Sequence, residues 1–576
     1  MPRSLYSLAL VPALAALLGW GVFDRWFGRA PEAPAAEAVA MALGEALRSE
    51  GPLHPATADL YARPALVWTS GEARARAASV LAGASREGID GIGAERAADL
   101  VSRLARAESD WAALDGDARD TLPDPRAPLM AALDVRLADA SLRYADALRG
   151  RRVDAAALHR GTWFPTVRDS TGEGFGQAVA AVRRGDASRL AAALDGLRPR
   201  HAQYAALRAR YAALTSDLAP IPAGPDLRRG ERSVRVPHLR ARLEALGALG
   251  PRAAAAPDGW DRTDPYLFDG ALAGALAAFE QSRGLEADSV LDASASDALN
   301  ADLRETLAMN LERWRWLPNS FGDRYIWVNL ASMELSVMER AGADSTAVRL
   351  HMPVNIGNAQ TIGWTTPVLT DSVHTVEFQP AWYVPASLAA SNVFPMARAD
   401  SLSLYRQGFE TYWNGRPVDS RLVPWDSVSV REFRFVQRPG PANPLGRVKF
   451  LMHNPYAILI HDTNRRETLA DGRGSTMSSG CVQAGDPAGL AEYLLTTVNG
   501  WEAGEATAAW RGGPRRGVRL ERPFPSHFVY LSAWVTPSGV LETYGDPYGY
   551  DAKLARALAG AVAGGARPAP GVASAS

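Results

Sequence analysis

The chain has 576 residues, 47% of them apolar and 22% charged, with a formal net charge of −1. That composition supplies several hydrophobic cores, and a chain of this length is expected to hold about three domains. With no basic excess to neutralise a phosphate backbone, nucleic acid is excluded as an expected partner.

Leu5 to Phe23 is an uncharged run of 19 residues between Arg3 and Asp24-Arg25. It is long enough to cross a bilayer as a helix, so residues 1–27 read as a membrane anchor. The Ala33-Pro34-Ala35-Ala36 stretch leaves a cleaved signal peptide as the alternative. Either reading exports the remainder. Residues 28–228 carry Leu, Val and Ala at three- and four-residue spacing in Ala73 to Ala82, Glu95 to Ala107, Pro128 to Leu148 and Phe175 to Leu197. That period predicts a helical scaffold domain. His159 and His201 stand alone there and read as structural residues.

Residues 229–302 predict a compact unit of three short helices. Val236, Leu239, Leu243 and Leu246 make one apolar face; Leu272, Leu276 and Phe279 make a second, closed by Gly284; Asp292 caps a third helix ending near Leu299. In residues 303–558 the period changes to two from Asn310, with Ile326, Val328 and Leu330, then Leu335 and Val337, then Val348, Leu350, Met352 and Val354. After a strand Ser372 to Phe378, the Trp-, Pro- and Arg-rich residues 380–431 exceed any connection a β domain needs and are expected to form a lid. Phe433, Phe435 and Val448 to Phe450 are expected to resume the strands. Residues 559–576 are Ala, Gly and Pro and read as a disordered tail. The fold class is therefore multidomain α+β.

One cysteine occurs, Cys481, in Ser478-Ser479-Gly480-Cys481-Val482, twenty positions after His461. A lone thiol has no partner in the chain, and a Ser-Ser-Gly turn is not an apolar stripe. A nucleophilic Cys481 with His461 as its base follows. Gly480 permits a tight turn and close substrate approach, and the Gly480-Cys481 N–H groups are the expected oxyanion donors. Ser478, Ser479 and Asp462 are expected to orient the base or the substrate, and Trp382 and Tyr383 to line a groove at the start of the insertion. His351, His374 and His453 lack metal-ligand spacing, so no metal or cofactor is expected.

Several segments carry a family resemblance: Asn310 to Pro318, Gly440 to Gly446, Asn454 to Ile458, His461-Asp462-Thr463, Ser478 to Val482 and Tyr544 to Tyr550. Together they resemble the long, multidomain L,D-transpeptidases with a YkuD-type catalytic domain. The three-helix unit, through Ala277 to Leu285, resembles a peptidoglycan-binding domain, although Asp288 to Ala293 lacks that family's glycine turn. The resemblance implies a Cys481 thioester formed on a tetrapeptide donor stem with release of D-alanine. It also implies an acceptor stem amine that joins two third residues, possible contact with glycan strands, and inhibition by carbapenems. With the N-terminal segment it implies the cell envelope on the periplasmic side, anchored in the inner membrane or secreted. Gln483 stands where the family commonly has arginine against a substrate carboxylate, and Leu459 where it often has tyrosine. A thiol hydrolase on the same fold and an inactive wall-binding scaffold are the alternatives.

Overall fold

The computed structural model describes residues 33–563 except 64, 160–171, 215–217, 250–263, 284, 301–302 and 343–345. The expected anchor, the Gly284 cap and the tail beyond 563 lie outside the described residues. Among the described residues no helix is long and apolar enough to cross a membrane.

The N-terminal part is helical and organised around Arg126–Leu148, a helix buried along nearly its whole length. Helices Ala36–Ser49, Gly71–Leu81, Ala94–Ala113, Glu173–Arg183 and Ala187–Leu197 surround it. The central helix carries acidic residues inward, and each has partners that offset its desolvation. Asp134, fully buried, accepts the Tyr61 hydroxyl and the Val67 and Trp68 N–H groups. The stretch Phe175 to Leu197 forms two helices rather than the single segment its periodicity predicts. Gly185 breaks it at φ +60°, where a Cβ would meet the Val67 carbonyl oxygen at 2.3 Å, and Asp186 caps the second helix.

The next unit holds the three short helices Val236–Ala245, Gly270–Ser282 and Ala293–Asn300. Leu239, Leu243, Leu272, Leu276, Phe279 and Leu299 meet in one core. Asp292 caps the third helix through the Ala295 N–H at 2.7 Å.

The change of period comes later than the sequence predicts. Asn310 lies within the helix Leu303–Trp316, and strands begin only at Arg324. That helix joins the scaffold to the β domain. Arg315, with no exposed surface, pairs with Glu312 at 3.0 Å and donates to the Glu87 carbonyl and the Tyr204 hydroxyl of the helical part. Asn310 donates to Ser532 Oγ of the β domain at 3.0 Å.

The β domain comprises β1 (Arg324–Asn329), β2 (Glu334–Arg340), β3 (Thr346–Gly357), β4 (Leu369–Phe378), β5 (Trp382–Tyr383), β6 (Phe409–Trp413), β7 (Arg416–Val418), β8 (Phe433–Gln437), β9 (Val448–Leu451), β10 (Ile460–His461), β11 (Thr476–Ser478), β12 (Val482–Ala484), β13 (Arg516–Val529), β14 (Ala533–Val535) and β15 (Leu541–Thr543). Nine strands form one sheet in the order β11-β3-β12-β10-β9-β4-β13-β1-β2. Because β3 also pairs with β2, the sheet closes on itself. One face buries Val328, Val337, Val376, Val448, Phe450, Ile460 and Val482 against the helix Pro487–Asn499. Successive residues alternate between faces, so Lys449, His461 and Gln483 lie on the other.

The insertion runs further than predicted. Phe433 and Phe435 lie in β8, which belongs to a separate four-stranded sheet in the order β5-β8-β6-β7 and not to the main one. They pack with Trp425, Val393 and Leu404 in a small core of their own, so residues 380–437 form a folded subdomain. Asn443 closes its base, donating to the Pro380 carbonyl at 3.0 Å. The C-terminal helix Tyr550–Ala563 extends five residues into the stretch expected to be disordered. Leu554, Leu558 and Ala561 hold it against Met309 and Trp316.

Candidate active site

The register of the sheet builds the site. His461 on β10 pairs with Gln483 on β12, and Gln483 with Asn355 on β3. On the other side His461 pairs with Lys449 on β9, and Lys449 with Glu377 on β4. Paired residues share a face, so Asn355, Gln483, His461, Lys449 and Glu377 form one polar row across five strands. Cys481 precedes Gln483 by two residues, the spacing at which strand alternation brings side chains to one face. Cys481 thus immediately precedes the strand that pairs with the one carrying His461.

His461 is 5% exposed. Its Nδ1 is hydrogen-bonded to the backbone carbonyl of Asp462. A carbonyl only accepts, so Nδ1 carries the proton and Nε2 is left with its lone pair. Burial lowers the imidazole pKa to about 4, with the Asp462 backbone and charge opposing and Lys449 reinforcing the shift. Burial pushes the Cys481 thiol up, with the Leu459 backbone pulling the other way. At rest the thiol and the imidazole are both neutral, which is the starting state for general-base activation. The Cys481 Sγ lies 3.9 Å from the Ala457 carbonyl oxygen, in the turn that Asn454 holds by accepting the Tyr456 and Ile458 N–H groups.

The loop that carries Cys481 is pinned from both sides. Ser478 Oγ donates to the Cys481 carbonyl and accepts the Gly480 N–H at 3.1 Å. Gly480 has φ +115°, and a Cβ there would meet Ile458 Cδ1 at 3.0 Å, so the position requires glycine. Thr366 Oγ1 accepts the Gly357 N–H at 2.8 Å and donates to the Gly480 carbonyl at 2.7 Å. Tyr548 donates to the Gly357 carbonyl at 2.9 Å and accepts the Thr366 N–H at 3.1 Å.

These contacts correct three expectations. Gly480 does not offer its N–H to a substrate, because Ser478 Oγ holds it; the Cys481 N–H has no protein acceptor among the described residues and is the available oxyanion donor. Ser478 shapes the loop rather than meeting substrate. Asp462 is fully buried, and its carboxylate is occupied by Arg466, the Arg447 and Thr463 N–H groups and the Trp510 indole, so it braces the β10 end and does not face substrate. Ser479 is exposed beside the thiol. Gln483 accepts from Asn355 Nδ2 at 3.2 Å. Trp382 packs inside the insertion's core, whereas Tyr383 is 60% exposed, its hydroxyl 3.4 Å from Arg515.

Lys449, Glu377, Thr366 and Tyr548 were not singled out by the sequence. Lys449 and Glu377 pair at 3.1 Å, both nearly buried, and Arg515 also bonds Glu377 at 2.7 Å. A signal for Lys449 existed: it is one of two lysines in a chain whose other basic residues are arginine. Among the described residues no group of three or more His, Cys, Asp or Glu is placed to hold a metal ion.

The YkuD family profile, described as an L,D-transpeptidase catalytic domain, matches residues 323–500, and a profile described as a scaffold domain matches residues 55–210. A curated Haemophilus influenzae protein named "Putative L,D-transpeptidase" is 27% identical over 255 residues, covering 44% of this chain and 50% of that protein. The chain thus spans about half the length of the curated relative it matches. A crystal structure of the L,D-transpeptidase (residues 123-326) from Xylanimonas cellulosilytica DSM 15894 aligns with 53% of this chain and 98% of that one, at 15% identity and a TM-score of 0.17; so low a score adds nothing to the assignment. Residues 323–500 thus match the YkuD L,D-transpeptidase catalytic domain, behind a scaffold domain over residues 55–210, and this order is similar to that of the long-form L,D-transpeptidases.

Proposed function

We propose that the chain joins peptidoglycan stem peptides through a thioester on Cys481. The observation that carries this reading is the pairing of the His461 strand with the strand that Cys481 immediately precedes, with the Asp462 carbonyl fixing the proton on Nδ1. As the sulfur attacks the carbonyl carbon before the terminal D-alanine of a tetrapeptide, its proton passes to His461 Nε2. The Cys481 N–H donates to the developing oxyanion. Collapse breaks the C–N bond, and the imidazolium returns the proton to the departing D-alanine amine. A side-chain amine of a second stem then attacks the thioester and loses a proton to His461, and the thiolate leaves and is reprotonated. The three-helix unit, placed beside the catalytic domain, engages glycan, and the chain acts in the cell envelope on the periplasmic side.

A hydrolase on the same fold is the second reading. Gln483 supports it, because an amide tied to Asn355 offers no cation for an acceptor carboxylate. Incubating the chain with disaccharide-tetrapeptide, with Cys481→Ala as control, separates the two by mass spectrometry. A Cys481-dependent dimer lacking one D-alanine is the expected product. Tripeptide monomer alone would replace the transferase with the hydrolase, and no Cys481-dependent product would contradict both.

A further inference from the structure

The segment between β3 and β4, residues 358–368, is fastened to the Cys481 turn near both of its ends. The Asn358 N–H donates to the Ser478 carbonyl at 2.8 Å. Thr366, with no exposed surface, donates its hydroxyl to the Gly480 carbonyl at 2.7 Å. The direction of that hydroxyl is set, because Oγ1 also accepts the Gly357 N–H at 2.8 Å and has one proton to give. Each non-proline residue carries one backbone donor and one acceptor. Three of the four such groups on Gly480 and Cys481 are occupied: Ser478 Oγ accepts the Gly480 N–H and donates to the Cys481 carbonyl, and Thr366 holds the Gly480 carbonyl. The fourth, the Cys481 N–H, has no protein acceptor among the described residues.

The Gly480 carbonyl and the Cys481 N–H are the two ends of one peptide group. A trans peptide is planar, its C=O and N–H pointing in opposite directions, so a side chain that fixes the carbonyl also aims the N–H. Gly480, at φ +115°, places little restraint of its own on that plane. We propose that Thr366 is a positioning residue for acyl transfer, its hydroxyl holding the peptide between Gly480 and Cys481 so that the Cys481 N–H points at the oxyanion. The inference rests on the functional reading above and adds what orients its donor. The hydrogen bond on the carbonyl also polarises the peptide and strengthens the N–H at its other end. Tyr548 secures Thr366 in turn. Its hydroxyl donates to the Gly357 carbonyl at 2.9 Å and accepts the Thr366 N–H at 3.1 Å. Burial pushes the Tyr548 pKa up to about 12, so the donated proton stays in place at neutral pH. The stretch after β15 thereby reaches the oxyanion donor through two buried side chains.

The test compares two reactions of the Cys481 thiol in the full chain. Acylation by a carbapenem passes through an oxyanion, whereas alkylation by iodoacetamide forms the S–C bond as iodide leaves and makes none. Thr366→Val keeps the shape of the side chain and removes the hydroxyl. It should slow acylation roughly ten- to a hundredfold, less than the loss of about 10²–10³ when an oxyanion donor is removed outright, with alkylation unchanged. Release of D-alanine from disaccharide-tetrapeptide should lose kcat by the same factor with KM largely kept, as expected for an interaction made only in the transition state. Thr366→Ser, which retains the hydroxyl, should restore acylation. A merely structural role would displace the thiol and slow both reactions alike; that result, or wild-type acylation in Thr366→Val, would overturn the proposal. Should Thr366→Val fail to fold, Tyr548→Phe keeps the ring, removes the bonds to Gly357 and Thr366, and should slow acylation roughly threefold, the lower end for one hydrogen bond, with alkylation unchanged. Acylation at the wild-type rate in that variant would overturn the proposal. A wild-type chain whose Cys481 is alkylated but never acylated would overturn the functional reading and the proposal with it.

Discussion

Lys449 faces His461 across the ladder between β9 and β10, so the proposed base lies next to a nearly buried ammonium group. Burial is the larger cause of the lowered imidazole pKa of about 4, and the lysine adds to it. His461 is consequently a neutral proton acceptor throughout the neutral and mildly acidic range. The acid limb of kcat/KM is expected near pH 4 rather than near the ordinary histidine value of 6.5. Lys449→Met removes the charge and should move that limb upward, while Arg515 continues to neutralise Glu377. A wild-type limb near 6.5, or one that does not move in the variant, would contradict this description of the base.

The loop contacts predict a ranking of neighbouring substitutions. Ser478→Ala loses the hydroxyl that ties the Gly480 N–H to the Cys481 carbonyl and should lower kcat by about tenfold, on the scale of one or two hydrogen bonds. Ser479→Ala, at an exposed position, should leave kcat within about twofold, since surface changes fall within ±0.5 kcal/mol. Gly480→Ala combines a positive φ with a 3.0 Å contact to Ile458 and should cost the most, roughly 1–3 kcal/mol of backbone strain or a displaced thiol. Steady-state kinetics with thermal melting checks the order; equal effects at 478 and 479 would contradict it.

Much of this was legible in the sequence, and what was missed has a physical reason. Cys481 and His461 stand out because a lone thiol in a polar turn has few structural uses, and a period of two marks the strands around them. Asp462 misleads because sequence adjacency to a base says nothing of direction: alternation along the strand turns it inward, where Gly446 leaves it space, a Cβ there meeting its Cγ at 2.5 Å. Phe433 and Phe435 read as strand correctly, but which sheet a strand joins depends on long-range pairing. Asn310 to Trp316 includes Arg315, which fastens the scaffold to the β domain, a role no local pattern reveals.

Arg315 makes that fastening testable. Its guanidinium is fully buried between Glu312, the Glu87 carbonyl and Tyr204. Among the described residues, Arg315→Met leaves Glu312 with the more distant Arg152 at 3.7 Å as its cation and should destabilise the chain by roughly 3–5 kcal/mol, the scale for breaking a buried pair. Because the contact joins two parts of the molecule, calorimetry should also show one unfolding transition for the wild type and two for the variant. An unchanged melting profile would contradict the assigned role.

Acid sensitivity should come from buried neutral histidines. His461 and His527 are lowered to about 4 and His159 to about 3, each chiefly by burial. Between those values and about 6.5 the unfolded chain binds more protons than the folded one, so stability is complete above pH 6.5 and falls as pH drops towards 4. His159 lies edge-on to Tyr550 at 4.4 Å, and His159→Phe keeps a ring there while removing the titration. Its melting temperature should fall less between pH 7.5 and 5 than that of the wild type; an identical slope would contradict the account.

The central claim is that Cys481 is the nucleophile and neutral His461 its base. Intact-protein mass spectrometry after exposure to a carbapenem, followed by peptide mapping, tests it most directly. The wild-type chain should gain one adduct mapped to Cys481, His461→Gln should gain it at least about a hundredfold more slowly, within the range for general-base catalysis, and Cys481→Ala should gain none. An adduct that persists in Cys481→Ala, or acylation of His461→Gln at the wild-type rate, would contradict the account.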